Sequence, residues 1–386
     1  MEVENIKDKL HIGNEKVKNI NINKLKSLGK SSRKKDKEVI VFDIGTSSIK
    51  VLIGKFYRNK VVVRDCIIEK TPEGSVIDGA IINILALESV VKRIIEENDI
   101  NIKDAICTTN SSSIINREIY IPKVDKSEMD TVIKFEIQEY LPINLNNYIV
   151  QYIELGEEEV DGKEKIKVNV IAYPEKVART YHEFIKNLGF KPYALYTTFN
   201  SLNKIVKVSK EINEYEYNDG DTLAFIDMGA ASVNVNIYKD EKLDFTRILK
   251  FGSNEIDEAL KNKCNISQNA FERVKFQEVN LIDLEEEGPS AVVRDIIEKW
   301  TSEIDRIFKF YKSRDIGNKI DRIFIYGGIS KTKGIESYLS GRFATKVRRI
   351  KELSNVYFED NRDGEASIEK YVNAIGALIR LDEEEA

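Results

Sequence analysis

Histidine is nearly missing from this chain, with His11 and His182 the only two in 386 residues. Triads that need an imidazole base and metal sites that need imidazole ligands therefore have almost no material to work with. Cysteine is as scarce: Cys66, Cys107 and Cys264 are far apart, odd in number and without a Cys-x-x-Cys. That argues against a disulfide framework or a zinc knuckle and for a reducing cytoplasm. No apolar run approaches the ~20 residues of a membrane-crossing helix; the longest candidate, residues 80–91, is interrupted by Asn83 and Glu88. Neither a span nor a secretory leader is expected. A dominant charge is lacking too, since 60 basic and 65 acidic residues leave a net −5, and no nucleic-acid footprint stands out. Any chemistry must rest on carboxylates, amides, backbone groups and a bound ion.

What is present suits a globular protein of two or more domains, with 42% hydrophobic and 32% charged residues. Residues 1–37 are polar and end in the basic run Lys30-Ser31-Ser32-Arg33-Lys34-Lys35-Asp36-Lys37, which reads as a flexible basic arm. Order is expected from residue 38. An apolar strand reaches Asp43, turns through Ile44-Gly45-Thr46-Ser47-Ser48 and leaves as a second strand, Ile49 to Ile53. Strand, turn, strand is a hairpin, unlike a Rossmann or Walker loop, whose glycines open a helix.

This hairpin recurs. Asp43-Ile-Gly-Thr-Ser-Ser-Ile-Lys-Val-Leu-Ile53 aligns without gaps on Asp227-Met-Gly-Ala-Ala-Ser-Val-Asn-Val-Asn-Ile237, each copy following an apolar strand, so two domains with the same opening are implied. Between the copies, residues 112–193 read as a small α/β insertion. A helix capped by Ser127 runs to Leu141 and is stopped by Pro142; strands at 147–155 and 166–173 flank an acidic turn, Gly156 to Gly162; a second helix starts at Pro174 and ends at Gly189. Further on, single helices are expected over Asn254–Val279 and Ser290–Ser313, around an acidic loop, Asp283 to Glu287. A strand, Arg322 to Tyr326, then runs into Gly327-Gly328-Ile329-Ser330 and the helix Ile335–Phe343. The last helix, Ile368–Leu381, carries the small residues Ala374, Gly376 and Ala377.

A triphosphate needs backbone N–H donors, a cation or two, and carboxylates that hold Mg²⁺ mostly through water. Gly45 and Gly229 allow close approach of the backbone, Thr46, Ser47, Ser48 and Ser232 add hydroxyls beside Ala230 and Ala231, and Lys50 supplies a point charge. Asp43 and Asp227, side by side, would repel unless a cation such as Mg²⁺ sat between them. One Asp-x-Gly alone makes an ordinary hairpin turn. Two copies plus the strand-Gly-Gly-helix at 326–334, a surface on which a flat adenosine could lie, say more together.

That order of parts resembles the actin-like ATPase superfamily: phosphate motifs at Asp43–Lys50 and Asp227–Val233 and an adenosine motif at Tyr326–Gly334. The resemblance implies an α/β, actin-like ATPase fold of two ribonuclease-H-like lobes, binding ATP or ADP with Mg²⁺, hinged on helices at Thr197–Lys207 and Ala374–Ala377. It makes Lys275 an adenosine contact and Asn200, with Asn203, the weak counterpart of a water-positioning residue. Slow or absent hydrolysis is then expected, with Asp227 and Asn200 as the catalytic candidates. An α/β 1C subdomain inserted in the first lobe is similar to FtsA and to PilM. The run Phe135-Glu-Ile-Gln-Glu-Tyr-Leu-Pro-Ile-Asn followed by Tyr148-Ile-Val-Gln-Tyr looks like the PilM pattern, and the acidic Asp-Glu-Glu-Glu-Ala end lacks the membrane-targeting helix of FtsA.

On that resemblance the chain divides into the arm 1–37, subdomain 1A at 38–111 and 194–220, 1C at 112–193, 2A at 221–253 and 320–386, and 2B at 254–319. It implies a cytoplasmic adaptor of type IV pilus assembly, held at the inner face of the cytoplasmic membrane by its partner. That partner is the N-terminal tail of a PilN-like bitopic membrane protein, seated in a groove near Ile119, Tyr120, Phe135 and Tyr148. Contact with the pilus motor ATPase and self-association are further expectations. An FtsA-like divisome filament and a small-molecule kinase of the same superfamily stay open as alternatives.

Overall fold

The structure, a computed structural model, describes residues 37–140, 144–218, 220–283, 285–359 and 367–380. The basic arm up to Asp36, the Pro142 stop, Leu284 in the acidic loop, Leu381 and the acidic end fall outside the described residues.

The first lobe opens on an antiparallel meander, β1 (Val39–Ile44), β2 (Ser48–Tyr57) and β3 (Lys60–Lys70), with β4 (Asp104–Thr109) parallel to β1. All six residues of β1 and all six of β4 are buried, as apolar strands covered on both faces should be. Helix α1 (Ile84–Glu97) links β3 to β4, and its N-cap is Asn83, whose Oδ1 accepts the Ala86 N–H at 3.1 Å. The polar residue that interrupts the apolar run in sequence is thus a helix start.

An insertion follows. Strands β5 (Ile115–Pro122), β6 (Tyr148–Val160) and β7 (Lys163–Pro174) form a three-stranded sheet in the order β5-β7-β6, covered on one face by α2 (Met129–Tyr140). The turn between β6 and β7 is tighter than the expected acidic loop. Asp161 and Gly162 alone make it, with φ of 56° and 72°, the signature of a two-residue type I′ hairpin. Gly156 sits inside β6 at a break in register with β7. Pro174 closes β7 with ψ of 121°, so α3 starts one residue later than expected, as Glu175–Asn187, and Gly189 follows it at φ 85°. Strand β8 (Lys191–Thr197) returns to the first sheet, parallel to β4, and α4 (Thr198–Val208) crosses to the second lobe.

The second lobe repeats the opening. An antiparallel meander, β9 (Thr222–Met228), β10 (Val233–Lys239) and β11 (Lys242–Leu249), has β12 (Arg322–Tyr326) parallel to β9 and β13 (Val347–Arg349) beyond it. Between the halves of this sheet lie α5 (Ser253–Cys264) and α6 (Pro289–Arg314), and after β12 comes α7 (Ile335–Phe343). The single helix expected over Asn254–Val279 is broken. Asn265, at φ 54°, ends α5 in the left-handed region that asparagine tolerates, and the chain resumes as short turns ending in a π-helical one at Val274–Glu278. Apolar spacing continues across the break, so periodicity alone could not reveal it.

The chain then lays β14 (Val356–Phe358) on the outer edge of the first sheet beside β3, and the last described helix is α8 (Ile368–Leu378). One hydrophobic core joins the lobes: Val41, Leu52 and Ile106 from the first sheet, Phe225 and Phe324 from the second, Leu202 and Val206 from α4, Ile375 and Leu378 from α8. A Cβ on Gly376 would collide with the Ser201 carbonyl, so α4 and α8 touch backbone to backbone where the lobes meet.

Candidate functional site between the lobes

Register builds the site. In the first meander Asp43 pairs with Lys50 across the hairpin and with Thr108 of β4; in the second, Asp227 pairs with Asn234 and with Tyr326 of β12. The two aspartates are therefore equivalent by topology as well as by sequence. Asp43 Oδ1 accepts from Thr108 Oγ1 at 2.7 Å and Oδ2 from Lys50 Nζ at 3.1 Å. Asp227 Oδ2 accepts from Asn373 Nδ2 of α8 at 3.1 Å.

The electrostatics tie the two halves together. Burial works against the Lys50 ammonium, yet the carboxylates of Asp43 and Asp227 outweigh it and hold its pKa above the usual lysine range. Burial pushes the Asp227 carboxyl up to about 6; Lys50 and the amides of Asn373 and Asn234 oppose that rise, and Asp43 adds to it. Asp43 thus works against ionisation of Asp227, and Lys50 offsets part of that effect.

The turns after each aspartate match. The Gly45 N–H donates to Ser48 O at 3.0 Å and the Gly229 N–H to Ser232 O at 3.1 Å. Neither glycine has a positive φ; what disfavours a side chain is crowding, tight at Gly45, where a Cβ would lie 3.1 Å from Ser48 O, and tighter at Gly229, where it would lie 2.9 Å from Ser232 O. Thr46 and Ala231 stand at the tips with Ser47 and Ala230, half-buried to exposed. Thr71 braces the first turn, its Oγ1 donating to Gly45 O at 2.7 Å and its N–H to Ser47 O at 3.1 Å. The start of α5 braces the second, with the Ser253 and Asn254 N–H groups donating to Gly229 O and Ala230 O at 3.0 Å each. Gly252 is pressed against Ala230 O so closely that no Cβ would fit.

At the third motif Gly327 has φ 89°, and a Cβ there would come within 2.7 Å of Met228 O and 2.8 Å of Asp227 Oδ1. It leans directly on the second Asp-x-Gly hairpin. Gly328 is open, with nothing within 4 Å of a Cβ position. Two expected nucleotide contacts turn inward instead: Ile329 packs in the second-lobe core, and Ser330 Oγ donates to Gly327 O at 2.6 Å. They shape the motif and do not present their side chains to a ligand. Lys275 is likewise not a free cation, because its ammonium is buried between Asp257 and Glu272, 2.8 Å from each. Asn200 donates its backbone N–H to Thr197 Oγ1 at 3.2 Å, while its Oδ1 and that of Asn203 are buried without a partner.

Of the four groove residues, Ile119 and Tyr120 lie on opposite faces of β5. Ile119 faces the core of the insertion with Ile121, Ile133 and Val168. Its neighbour Tyr120 points from the opposite face of β5, donating to Glu158 Oε2 at 2.8 Å, as alternation along a strand requires. Phe135 is 61% exposed on α2, and Tyr148 is half-buried at the start of β6.

Mg²⁺ and a nucleotide fit what is present. Among the described residues no three acidic, histidine or cysteine side chains cluster to hold a metal, so an ion at Asp43 and Asp227 would be held mainly through water, as Mg²⁺ prefers. The buried Oδ1 of Asn234 has no partner beside Asp227, and the open Gly328 leaves backbone where a flat ring can approach. Thr71, Thr108, Gly252 and Asn373 are absent from the sequence reading. Each meets a partner distant in sequence, and only Thr108, a hydroxyl near the end of a fully buried strand, carried any signal.

The comparisons with known proteins agree with this architecture. The family described as Type IV pilus assembly protein PilM matches residues 41–381. Among solved structures the chain superposes on a chain of the PilM-PilN type IV pilus biogenesis complex with a TM-score of 0.75 and 19% identity, covering 89% of this chain and 98% of that one. It also superposes on the ethanolamine utilization protein EutJ of Carboxydothermus hydrogenoformans with a TM-score of 0.54 and 12% identity, over 89% of each chain. With its duplicated Asp-x-Gly meander, the two helices packed together where its lobes meet and an actin-like ATPase fold, the chain belongs to the PilM family of type IV pilus assembly proteins.

Proposed function

We propose that this chain is an ATP- or ADP-binding adaptor of pilus assembly that holds the N-terminal tail of a PilN-like membrane protein and so sits at the inner face of the cytoplasmic membrane. The observation that carries the nucleotide part is the convergence of Asp43, Lys50 and Asp227 between two equivalent hairpins, with Gly327 against Asp227. Asp43, with Asp227, would hold the hydrated Mg²⁺, Lys50 and the N–H groups of the two turns would meet the phosphates, and Gly328 would face the adenosine. A bound Mg²⁺ would neutralise phosphate charge.

The same geometry favours binding over turnover. Asn200 and Asn203 offer amides, not bases, and positioning of the attacking water is what in-line phosphoryl transfer needs most. The partner reading rests on the family match and on the name of the PilM-PilN complex. It agrees with the finding that no described helix is long and apolar enough to cross a membrane, so membrane attachment would come through the partner. The pilus motor ATPase and a second copy of this chain are the other candidate contacts.

Thermal unfolding with and without Mg²⁺·ATP tests the site: ligand at 100 times its Kd adds ~2.7 kcal/mol, a shift of several degrees that Asp43→Ala should abolish. Titrating a PilN-tail peptide into the chain lacking residues 1–37 tests the partner. Brisk phosphorylation of a sugar or short-chain acid would transfer the reading to a kinase, and nucleotide-dependent filaments without peptide binding would transfer it to an FtsA-like role.

A further inference from the structure

We infer that Asn373 is a positioning residue for Asp227, fixing the carboxylate through which the second hairpin meets Mg²⁺. The inference rests on the nucleotide-binding reading above and concerns a residue of the hinge helix rather than of either phosphate motif. Asn373 is 7% exposed, and both ends of its carboxamide are used. Nδ2 donates to Asp227 Oδ2 at 3.1 Å, and Oδ1 accepts from the Tyr326 hydroxyl at 3.3 Å. An ionised carboxylate can only accept, so the NH₂ end must face Asp227, and the hydroxyl of Tyr326 then finds the amide oxygen. Asp227 decides the orientation of the side chain, and the Tyr326 hydroxyl adapts to it.

Its place in the fold gives this contact its reach. One turn before Asn373, the Glu369 carbonyl accepts the Gly327 N–H at 2.8 Å. On the same helix Gly376 lies against Ser201 of α4. Over less than three turns, α8 therefore touches the glycine that leans on Asp227, Asp227 itself, and the helix by which the first lobe crosses over. A change in the angle between the lobes cannot move α8 without moving the donor that orients Asp227. Asn373 makes the setting of that carboxylate depend on the hinge.

The prediction separates positioning from mere packing. In the unaltered chain ATP affinity is measured by calorimetry with excess Mg²⁺ and again with EDTA. Asn373→Leu keeps the volume but cannot donate, and Asn373→Asp keeps the shape but adds a second acceptor. Both should lose about tenfold or more of the Mg²⁺-dependent tightening, the scale of a hydrogen bond to a charged group, while metal-free affinity changes less than about threefold. Tyr326→Phe, which leaves the Asn373–Asp227 bond in place, should retain the tightening. Wild-type Mg²⁺ dependence in both Asn373 variants, or an equal loss with and without metal, overturns the inference. Absence of ATP binding in the unaltered chain overturns the nucleotide reading instead. Should the variants fail to fold, ¹⁵N-asparagine labelling decides: the carboxamide assigned to Asn373 by its displacement in Tyr326→Phe should shift with Mg²⁺·ATP more than with ATP in EDTA, and no metal-dependent shift of that signal refutes the role.

Discussion

Lys50 stands directly opposite Asp43 across the first hairpin, its Nζ 3.1 Å from Oδ2, while the equivalent position in the second hairpin is Asn234. The internal repeat thus differs at the position that supplies a cation: one hairpin brings a charge to its aspartate, the other an amide. Lys50→Met should leave two buried carboxylates without their cation. Removing one partner of such a cluster costs several kcal/mol when fully buried, and about 2 kcal/mol is expected here because the ammonium is partly solvated. Added Mg²⁺ without nucleotide should restore part of the lost melting temperature, more than it raises that of the unaltered chain. Equal Mg²⁺ effects on both would show that the carboxylates do not face a common space.

The elevated Asp227 pKa predicts a pH dependence of the ligand-free protein. Its folded value of about 6 lies above the usual 3.8, so the folded state binds more protons than the unfolded one between those limits. Stability from this group therefore falls as pH rises from about 4 to 6, and the cost is fully present above 6. Asp227→Asn should stabilise the ligand-free chain by about 2 kcal/mol at pH 7 and hardly at all at pH 4. It should also abolish the Mg²⁺·ATP shift. Denaturant unfolding at the two pH values reads the difference.

Much of this site is legible in sequence because its determinants are local. An aspartate ending an apolar strand, a glycine two residues on and a returning strand specify each hairpin within eleven residues, and their repetition specifies the second lobe. What was not legible depends on register between distant strands. Thr108 meets Asp43 only because β4 lies parallel to β1, and Asn373 meets Asp227 only because α8 packs back across the sheets. Ile329 and Ser330 were legible as members of a motif but not in direction, since inward or outward facing follows from the positive φ of Gly327. The break at Asn265 was hidden by apolar residues that continue on both sides of it.

Lys204 offers a second titration, of opposite sense. It is buried in α4 with Nζ 3.1 Å from the centre of the Tyr196 ring and no hydrogen-bond partner. Burial, with Arg380 nearby, holds its pKa well below the usual lysine range. The unfolded chain therefore binds the extra proton between the folded pKa and about 10.5. Stability from this group rises with pH through that window, and the penalty is fully present below it. Lys204→Met should raise stability at neutral pH by about 1 kcal/mol or more and flatten the gain toward pH 10. A destabilised variant would mean that the ammonium has a partner the folded chain provides.

Gly327 and Gly328 are adjacent but should respond differently to alanine. At Gly327 the positive φ and the 2.7 Å approach to Met228 O add strain to overlap, and Gly327→Ala is expected to cost roughly 2–4 kcal/mol. At Gly328 a Cβ meets nothing within 4 Å, so Gly328→Ala should leave thermal stability nearly unchanged. A flat ring on that backbone would meet the added methyl, and nucleotide affinity should fall. Unaltered affinity in Gly328→Ala would remove the adenosine from this motif.

The insertion separates its candidates for partner binding by burial. Ile119 lies in the core beneath α2, and Ile119→Ala should cost about 2–4 kcal/mol as a buried large-to-small change. Any loss of peptide binding in that variant would follow from unfolding of the insertion. Phe135 is different, since it projects from α2 at 61% exposure with no aromatic neighbour recorded among the described residues. Phe135→Ala should change stability by less than about 0.5 kcal/mol. An exposed aromatic that anchors a partner loses 2 kcal/mol or more of binding on truncation, about thirtyfold in Kd. Peptide titration against Phe135→Ala, with its melting temperature as the control, therefore tests whether α2 borders the groove: undiminished binding would move the tail to another face of the insertion.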